Sequence, residues 1–340
     1  MAVYDKITVD EYNDIHNSIN AIMGTGSGNT GYGQRVLSSP VTVSDRITIN
    51  EWSALRYDII NAYRHIYNTN PTGVDDKTAG EKIKFNASTE PVTYWNSVVN
   101  DINTFRLTHV PSGQRATISL PTRTWVQQWG YSGNELPNRP GLTATIALEW
   151  PTAEDARHFF NAGGYVEITT GRYGGSITPQ NSDWSTLLSN VGAFRFSASS
   201  PNTDVNPNDG TNWFRCSNVS QKIYTLSGSS PYGANEFEVW ASCDVADNTT
   251  GTGKRLELVL KWNDDHDPQG IPGTSPNPIP SDVVEEGPDY VDGTLFYSTT
   301  LYYASGLLTP ASAGTFEVQT PTVQVANDIE LNLADYPGSV

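Results

Sequence analysis

The sequence predicts an α+β protein with a small N-terminal helical head, residues 1–107, and a mainly antiparallel β-sandwich body, residues 108–340. A segment with helical periodicity occurs twice near the start. About nine stretches of alternating polar and apolar residues follow it, separated by Gly, Pro and Asn. Only 17% of the residues are charged and 11% are aromatic, a balance that favours strands joined by turns over a disordered chain.

The repeated segment predicts the first two helices. Ile7–Tyr12 returns 40 residues later as Ile47–Trp52, and in both copies a threonine precedes a glutamate by three residues, the spacing of a capping box. We expect helices over 8–23 and 50–66, and a third after Pro91. Each apolar stripe needs a partner surface, so we expect a three-helix head. Because a head of this size buries little area, we also expect it to pack against copies of itself. The assembly stripes are Tyr12, Ile15 and Ile19 in the first helix, and Trp52, Leu55 and Ile59 in the second.

The link between these helices, residues 24–46, is rich in glycine. Gly26, Gly28 and Gly31 satisfy the G-x-G-x-x-G pattern. A dinucleotide site needs that pattern after a strand and before a helix, whereas here it follows a helix and opens an extended stretch. We therefore expect no cofactor and a flexible arm, in which Pro40–Val43 adds a strand to a neighbouring chain.

Charge and cysteine content narrow the classes of partner. The formal net charge is −17, which disfavours binding to nucleic acid. No apolar run is long enough for a membrane span, and the start has no apolar signal core, so we expect synthesis in a cytoplasm. Cys216 and Cys243 are too few for a disulfide framework; they are either buried free thiols or a bridge between neighbouring strands.

We predict no catalytic and no metal residues. The five histidines show no zinc spacing, and His158 is expected to pack or cap within a short helix. The cluster Asn263–Asp267 is either a calcium-binding loop or a solvated connection. Acid pairs such as Glu154-Asp155, Asp264-Asp265 and Glu285-Glu286 suit a glycosidase couple only if they face each other across a groove, which a sequence does not reveal.

Three aromatic residues form the candidate binding surface. Trp125, Trp129 and Tyr131 lie close together in the chain. They form either a stacking platform for host surface glycan, a subunit interface, or part of the core.

Several blocks of the chain resemble virion structural proteins of tailed bacteriophages, of the kind found in phages of marine bacteria. They are the helix beginning Tyr12–Ile15, the loop Gly24–Gln34, the helix Trp52–Arg64, and the body segments Ala156–Gly164, Pro179–Trp184 and Asp292–Leu295.

The resemblance implies a non-enzymatic subunit of a tail, fibre or baseplate, made in the host cytoplasm and located in the phage particle. Because the helical stripes and the arm need partners, we expect self-association, as a trimer or ring, together with contact with other virion proteins. A receptor- or polysaccharide-binding module of the tail and a capsid decoration protein are the alternatives.

Overall fold

The fold class is confirmed as α+β. The computed structural model describes residues 7–43, 46–76, 92–107, 115–130, 141–199, 212–264, 290–304, 322–326 and 328–331. Within these ranges the helices are α1 Val9–Met23, α2 Ile49–Tyr67, α3 Val92–Phe105, α4 Ala153–Asn161 and α5 Pro179–Val191. The strands are β1 Arg115–Ser119, β2 Arg123–Trp125, β3 Trp129–Gly130, β4 Leu142–Glu149, β5 Tyr165–Tyr173, β6 Ala193–Phe196, β7 Gln221–Ser227, β8 Glu236–Cys243, β9 Arg255–Asn263, β10 Tyr290–Val291, β11 Thr294–Ala304, β12 Thr322–Ala326 and β13 Glu330–Leu331.

The longer strands form two antiparallel sheets. One has the order β1-β11-β5-β6, with β2 also on β11; the other has the order β12-β4-β9-β8-β7, with β13 on β4. The side chain of Trp262 in β9 connects the two sheets, since its Nε1 donates to Thr170 Oγ1 of β5 at 3.2 Å. Phe194 of β6 and Tyr224 of β7 also meet, with ring centroids 5.4 Å apart. The sheets therefore pack face to face as a sandwich.

Alternation along the strands builds this core. In β9 every second residue is buried, from Leu256 to Trp262, and the residues between them are half-buried. A strand turns successive side chains to opposite faces, so this pattern directs one apolar row into the sandwich.

The helical stripes find their partners inside one chain. Thr8 N donates to Glu11 Oε2 at 2.7 Å and Glu11 N donates to Thr8 Oγ1 at 3.2 Å, which confirms the first capping box. Trp52 stacks on Trp95 of α3 with ring centroids 3.9 Å apart. The expected three-helix head is present, and it buries these stripes without a second copy. Self-association of the chain stays a prediction. The residues with no exposed surface are Tyr12, Ile15, Ile19, Trp52, Leu55 and Ile59.

The glycine-rich link is not a free arm over its described part. Tyr32 N donates to Ile22 O at 2.8 Å, which folds the segment back along the end of α1. Gly28 N donates to Thr250 O at 3.0 Å and so fixes it to the sandwich. Within Pro40–Val43, Val41 pairs with Asn13 of the same chain through two hydrogen bonds. The predicted strand addition to a neighbour is therefore wrong at Val41, whose polar backbone atoms are already engaged.

The head and the sandwich share a continuous hydrophobic core. Tyr32 lies at the junction: its hydroxyl donates to Arg106 O at 3.0 Å, and its ring lies 4.6 Å from that of His65. His65 Nε2 lies 2.9 Å from Ala162 O, at the end of α4. The junction is thus packed and hydrogen-bonded. The predicted domain boundary, between residues 107 and 108, falls next to residues 108–114, which lie outside the described ranges.

Candidate functional site

A cleft of about 470 Å³ opens at one end of the sandwich, where the chain leaves β5 and enters α5. We call it the Arg172 cleft. Its lining combines glycine backbone, serine hydroxyls, one apolar side chain and one cation. The lining residues are Arg172, Gly174, Gly175, Ser176, Ile177, Asn181, Ser182 and Ser185.

Arg172 forms the inner wall of the cleft. Its side chain is only 4% exposed. Nε donates to Asp292 O at 2.6 Å, Nη1 to Asn181 O at 3.1 Å and to Ser185 Oγ at 3.0 Å, and Nη2 to Asp292 Oδ1 at 3.3 Å. The guanidinium therefore ties β5, α5 and the turn before β11 together.

Asp292 holds the loop in front of Arg172. Its carboxylate accepts from Ser176 N at 2.9 Å, from Ser176 Oγ at 2.9 Å and from Asn181 Nδ2 at 2.6 Å. Asn181 Oδ1 accepts in return from Asp292 N at 3.2 Å. The loop is consequently held in place by the half-buried Asp292 and the buried Asn181, with the exposed Ser176 as their partner.

Glycine is required where this loop passes Asp292. Gly175 has a φ of 83°, and a Cβ added there would lie 2.4 Å from Asp292 Oδ1 and 2.7 Å from Arg172 Nη2. Both the left-handed backbone and the contact exclude a larger residue. The loop therefore approaches the ion pair more closely than any other residue type permits.

The two charges of the site compensate each other. Burial lowers the pKa of Arg172, and the neighbouring Asp292 charge opposes that change. Burial alone raises the pKa of Asp292, but the hydrogen bonds from Ser176 and Asn181 and the charge of Arg172 outweigh it and lower the pKa. Both groups stay ionised near neutral pH, so the cleft is polar and carries no net charge from this pair.

The predicted aromatic platform is not exposed at Trp129, which forms part of the core, the alternative that the sequence left open. Trp129 is only 4% exposed and packs edge-on against Trp184, with ring centroids 4.7 Å apart. Trp125 is half-buried against the core, and Tyr131 lies outside the described ranges. The platform is therefore wrong at Trp129, because the short strand that carries it turns its ring inward.

The acidic cluster also differs from a solvated loop at its first acid. Asp264 is 1% exposed and accepts from Gln180 Nε2 at 2.6 Å, inside the sandwich. Asp265–Asp267 and Glu285-Glu286 lie outside the described ranges. Within the part of the chain that the structure describes, no group of three or more His, Cys, Asp or Glu side chains is placed to hold a metal ion.

The remaining candidates have structural partners. Cys216 and Cys243 are both buried, and they form no disulfide bridge with each other. Asp155 of the Glu154-Asp155 pair accepts from the Thr152 hydroxyl at the start of α4. His158 packs beside Gly33 and lies 3.3 Å from Thr25 O, as expected for a packing histidine.

Sequence reasoning did not single out Arg172, Asn181 or Asp292 as site residues. The available signal was local: Gly174-Gly175 follows the end of a strand, and Thr178-Pro179 begins a helix with a capping threonine and a proline in its first turn. Two segments that carry the resemblance, Pro179–Trp184 and Asp292–Leu295, meet here through the Asn181–Asp292 hydrogen bonds.

No protein-family model, curated protein or solved structure matches the chain. Among the helices in the described ranges, none has the length and hydropathy needed to cross a membrane.

Proposed function

We propose that the chain is a non-enzymatic structural subunit of a tailed-phage virion, in the tail, a fibre or the baseplate. The observation that carries the proposal is the way the glycine-rich link binds the helical head to the sandwich. Arg157 Nη2 and Asn161 Nδ2 of α4 donate to Thr25 O at 2.9 Å and to Gly28 O at 3.0 Å. A head fixed in this way makes one stiff building block, which suits repeated assembly.

Buried polar groups support the same proposal, since they hold main chain in place. Asp58 is fully buried and accepts from Leu37 N at 2.9 Å and Ser38 N at 2.8 Å. His65 contacts the Ala162 carbonyl. A carboxylate or imidazole occupied in this way, and shielded from solvent, is unsuited to exchange protons with a substrate.

Labelling of particles tests the location. Antibodies against the purified protein are applied to intact particles of the virus that encodes it, and bound gold is located by electron microscopy. Label on the tail, fibres or baseplate is expected. Label over the capsid surface would instead indicate a capsid decoration protein. Absence of the chain from the particle proteome would reject any role in the virion.

Solution mass tests the assembly. Light scattering over a range of protein concentrations is expected to give a stable trimer or a closed ring. Because the stripes of α1 and α2 are buried in one chain, the contacts must come from other surfaces. A monomer at every concentration would contradict self-association and leave assembly to other virion proteins.

A further inference from the structure

We propose that the Arg172 cleft binds a neutral carbohydrate. This goes beyond the structural role above and does not depend on it. The volume of about 470 Å³ lies within the range of small-molecule sites, which are roughly 300–1,000 Å³. The cleft lies among loops at the end of a sandwich, where a rigid scaffold presents recognition residues.

The lining offers contacts both to the hydroxyl groups and to the C–H face of a sugar ring. Ser176, Ser182 and Ser185 present hydroxyl oxygens, which can accept from sugar hydroxyls. Each O–H already donates inside the chain, to Asp292 Oδ2, Thr178 O and Asn181 O respectively. Ile177 is 100% exposed at the mouth of the cleft. Contact with the C–H face of a pyranose would remove this apolar side chain from water, which is favourable.

The electrostatics favour a neutral ligand over an anionic one. The Arg172 nitrogens already donate to four acceptors, and Asp292 balances the charge. The start of α5 is also occupied: Thr178 Oγ1 accepts from Asn181 N at 3.1 Å, and Pro179 has no N–H. A phosphate or carboxylate would thus find few donors, in a chain whose net charge of −17 repels anions.

The site is also organised before any ligand arrives. Ser176 and Asn181 are held by Asp292, and Gly175 fits against that carboxylate without room for a side chain. A ligand therefore does not have to order this loop, and the entropic cost of binding is reduced.

Titration calorimetry and ligand-observed NMR test the proposal with neutral hexoses, N-acetylhexosamines and their short oligomers at millimolar concentrations. Sialyllactose serves as the acidic probe. At least one neutral sugar is expected to bind, and more tightly than sialyllactose. Binding of none of the neutral sugars, or of sialyllactose alone, would overturn the proposal.

A matched pair of variants locates the site. Ser182→Trp fills the cleft from an exposed position of α5 and is expected to abolish binding. Ser189→Trp places the same side chain at another exposed serine of α5, outside the cleft, and is expected to bind like the wild type. Sugar binding that survives Ser182→Trp would place the site elsewhere and reject the cleft.

A gentler pair keeps the test independent of the large substitution. Ile177→Ser removes the exposed apolar side chain and is expected to weaken sugar binding about fivefold, by loss of apolar contact. Val219→Ser makes a similar change at a residue that is 66% exposed outside the cleft, and is expected to leave the affinity unchanged. Equal affinities in the two variants would argue against Ile177 as a wall of the site.

Discussion

Asp58 and Asp292 each hold a loop in place, and they differ in what balances their charge. Asp58 lies inside the head with no exposed surface, where it accepts from Leu37 N, Ser38 N and Ser38 Oγ. Asp292 lies at the Arg172 cleft with a side chain that is 21% exposed, beside a guanidinium. Both fix a loop through backbone N–H groups, but only Asp292 has a cation in contact.

The difference appears in the direction of the pKa shifts. Burial raises the pKa of Asp58, although hydrogen bonds from Leu37 and Ser38 and the charge of His16 oppose it. At Asp292 the corresponding hydrogen bonds and the charge of Arg172 outweigh burial, and the pKa falls. Hydrogen bonds alone therefore do not keep a fully buried carboxylate acidic; a neighbouring cation and access to water do.

The largest expected effect on stability comes from removing each carboxylate in turn. Asp58→Ala leaves the buried N–H groups of Leu37 and Ser38 without an acceptor, so the free energy of unfolding is expected to fall by about 3 kcal/mol. Asp292→Ala is expected to cost about 1–2 kcal/mol, because water replaces part of the lost contacts. Urea unfolding followed by circular dichroism measures both, and equal losses would show that burial does not separate them.

His65 extends the comparison to a buried base at the junction of head and sandwich. Burial lowers its pKa from 6.5 to about 4. The unfolded chain then binds the proton more readily than the folded one, so stability is lost as pH falls from 6.5 towards 4. The expected loss is up to about 3 kcal/mol, the free energy equivalent of the shift. His65→Gln cannot titrate, and its unfolding free energy should show a smaller loss over this range.

The prediction for His65 would be contradicted if stability depended on pH equally in the wild type and in His65→Gln. If wild type and His65→Gln lose the same stability between pH 6.5 and pH 4, other groups account for the dependence. His158→Gln is the comparison variant: burial also lowers the pKa of His158, but this ring is only half-buried, so removing it is expected to change the pH dependence of stability less than His65→Gln does.

Local signals in the sequence predicted the elements. The Thr8–Glu11 spacing predicted the start of α1, and the alternation over Leu256–Leu260 predicted a strand, which the structure extends to Arg255–Asn263 with one buried face. Each of these depends on neighbours a few residues away. The α+β class followed from them because a duplicated helical pattern precedes a series of alternating ones.

Contacts between residues far apart in the chain could not be predicted from such local patterns. Asn181 and Asp292 are 111 residues apart in the chain, and Asn161 reaches Gly28 across 133 residues. A glycine-rich segment reads as flexible because glycine permits many conformations, yet here those conformations let it fold against α4. Trp129 lies in a strand of two residues, too short for alternation to indicate the face it occupies.

The two aspartates should also give stability profiles of opposite slope in acid. For Asp58, whose folded pKa lies above its ordinary value of 3.8, the folded state takes up the proton first, so its contribution to stability rises as pH falls towards 3.8. For Asp292, whose folded pKa lies below 3.8, the contribution is lost as pH falls from 3.8 through the folded value. Wild type minus Asp58→Asn, and wild type minus Asp292→Asn, measure the two contributions in urea; slopes of the same sign would refute the assignment.

The smallest expected difference in stability is between variants of the two serines whose hydroxyls donate to these carboxylates. Ser38 is 5% exposed and its hydroxyl lies 2.6 Å from Asp58 Oδ2 and 2.8 Å from His16 Nδ1. Ser38→Ala is expected to cost about 1.5 kcal/mol, as a buried hydrogen bond to a charged group does. Ser176 is exposed and donates to Asp292 at 2.9 Å, so Ser176→Ala is expected to cost at most about 0.5 kcal/mol, since water can take the place of the hydroxyl. A larger loss for Ser176→Ala would mean that the cleft loop depends on that hydroxyl more than its exposure implies.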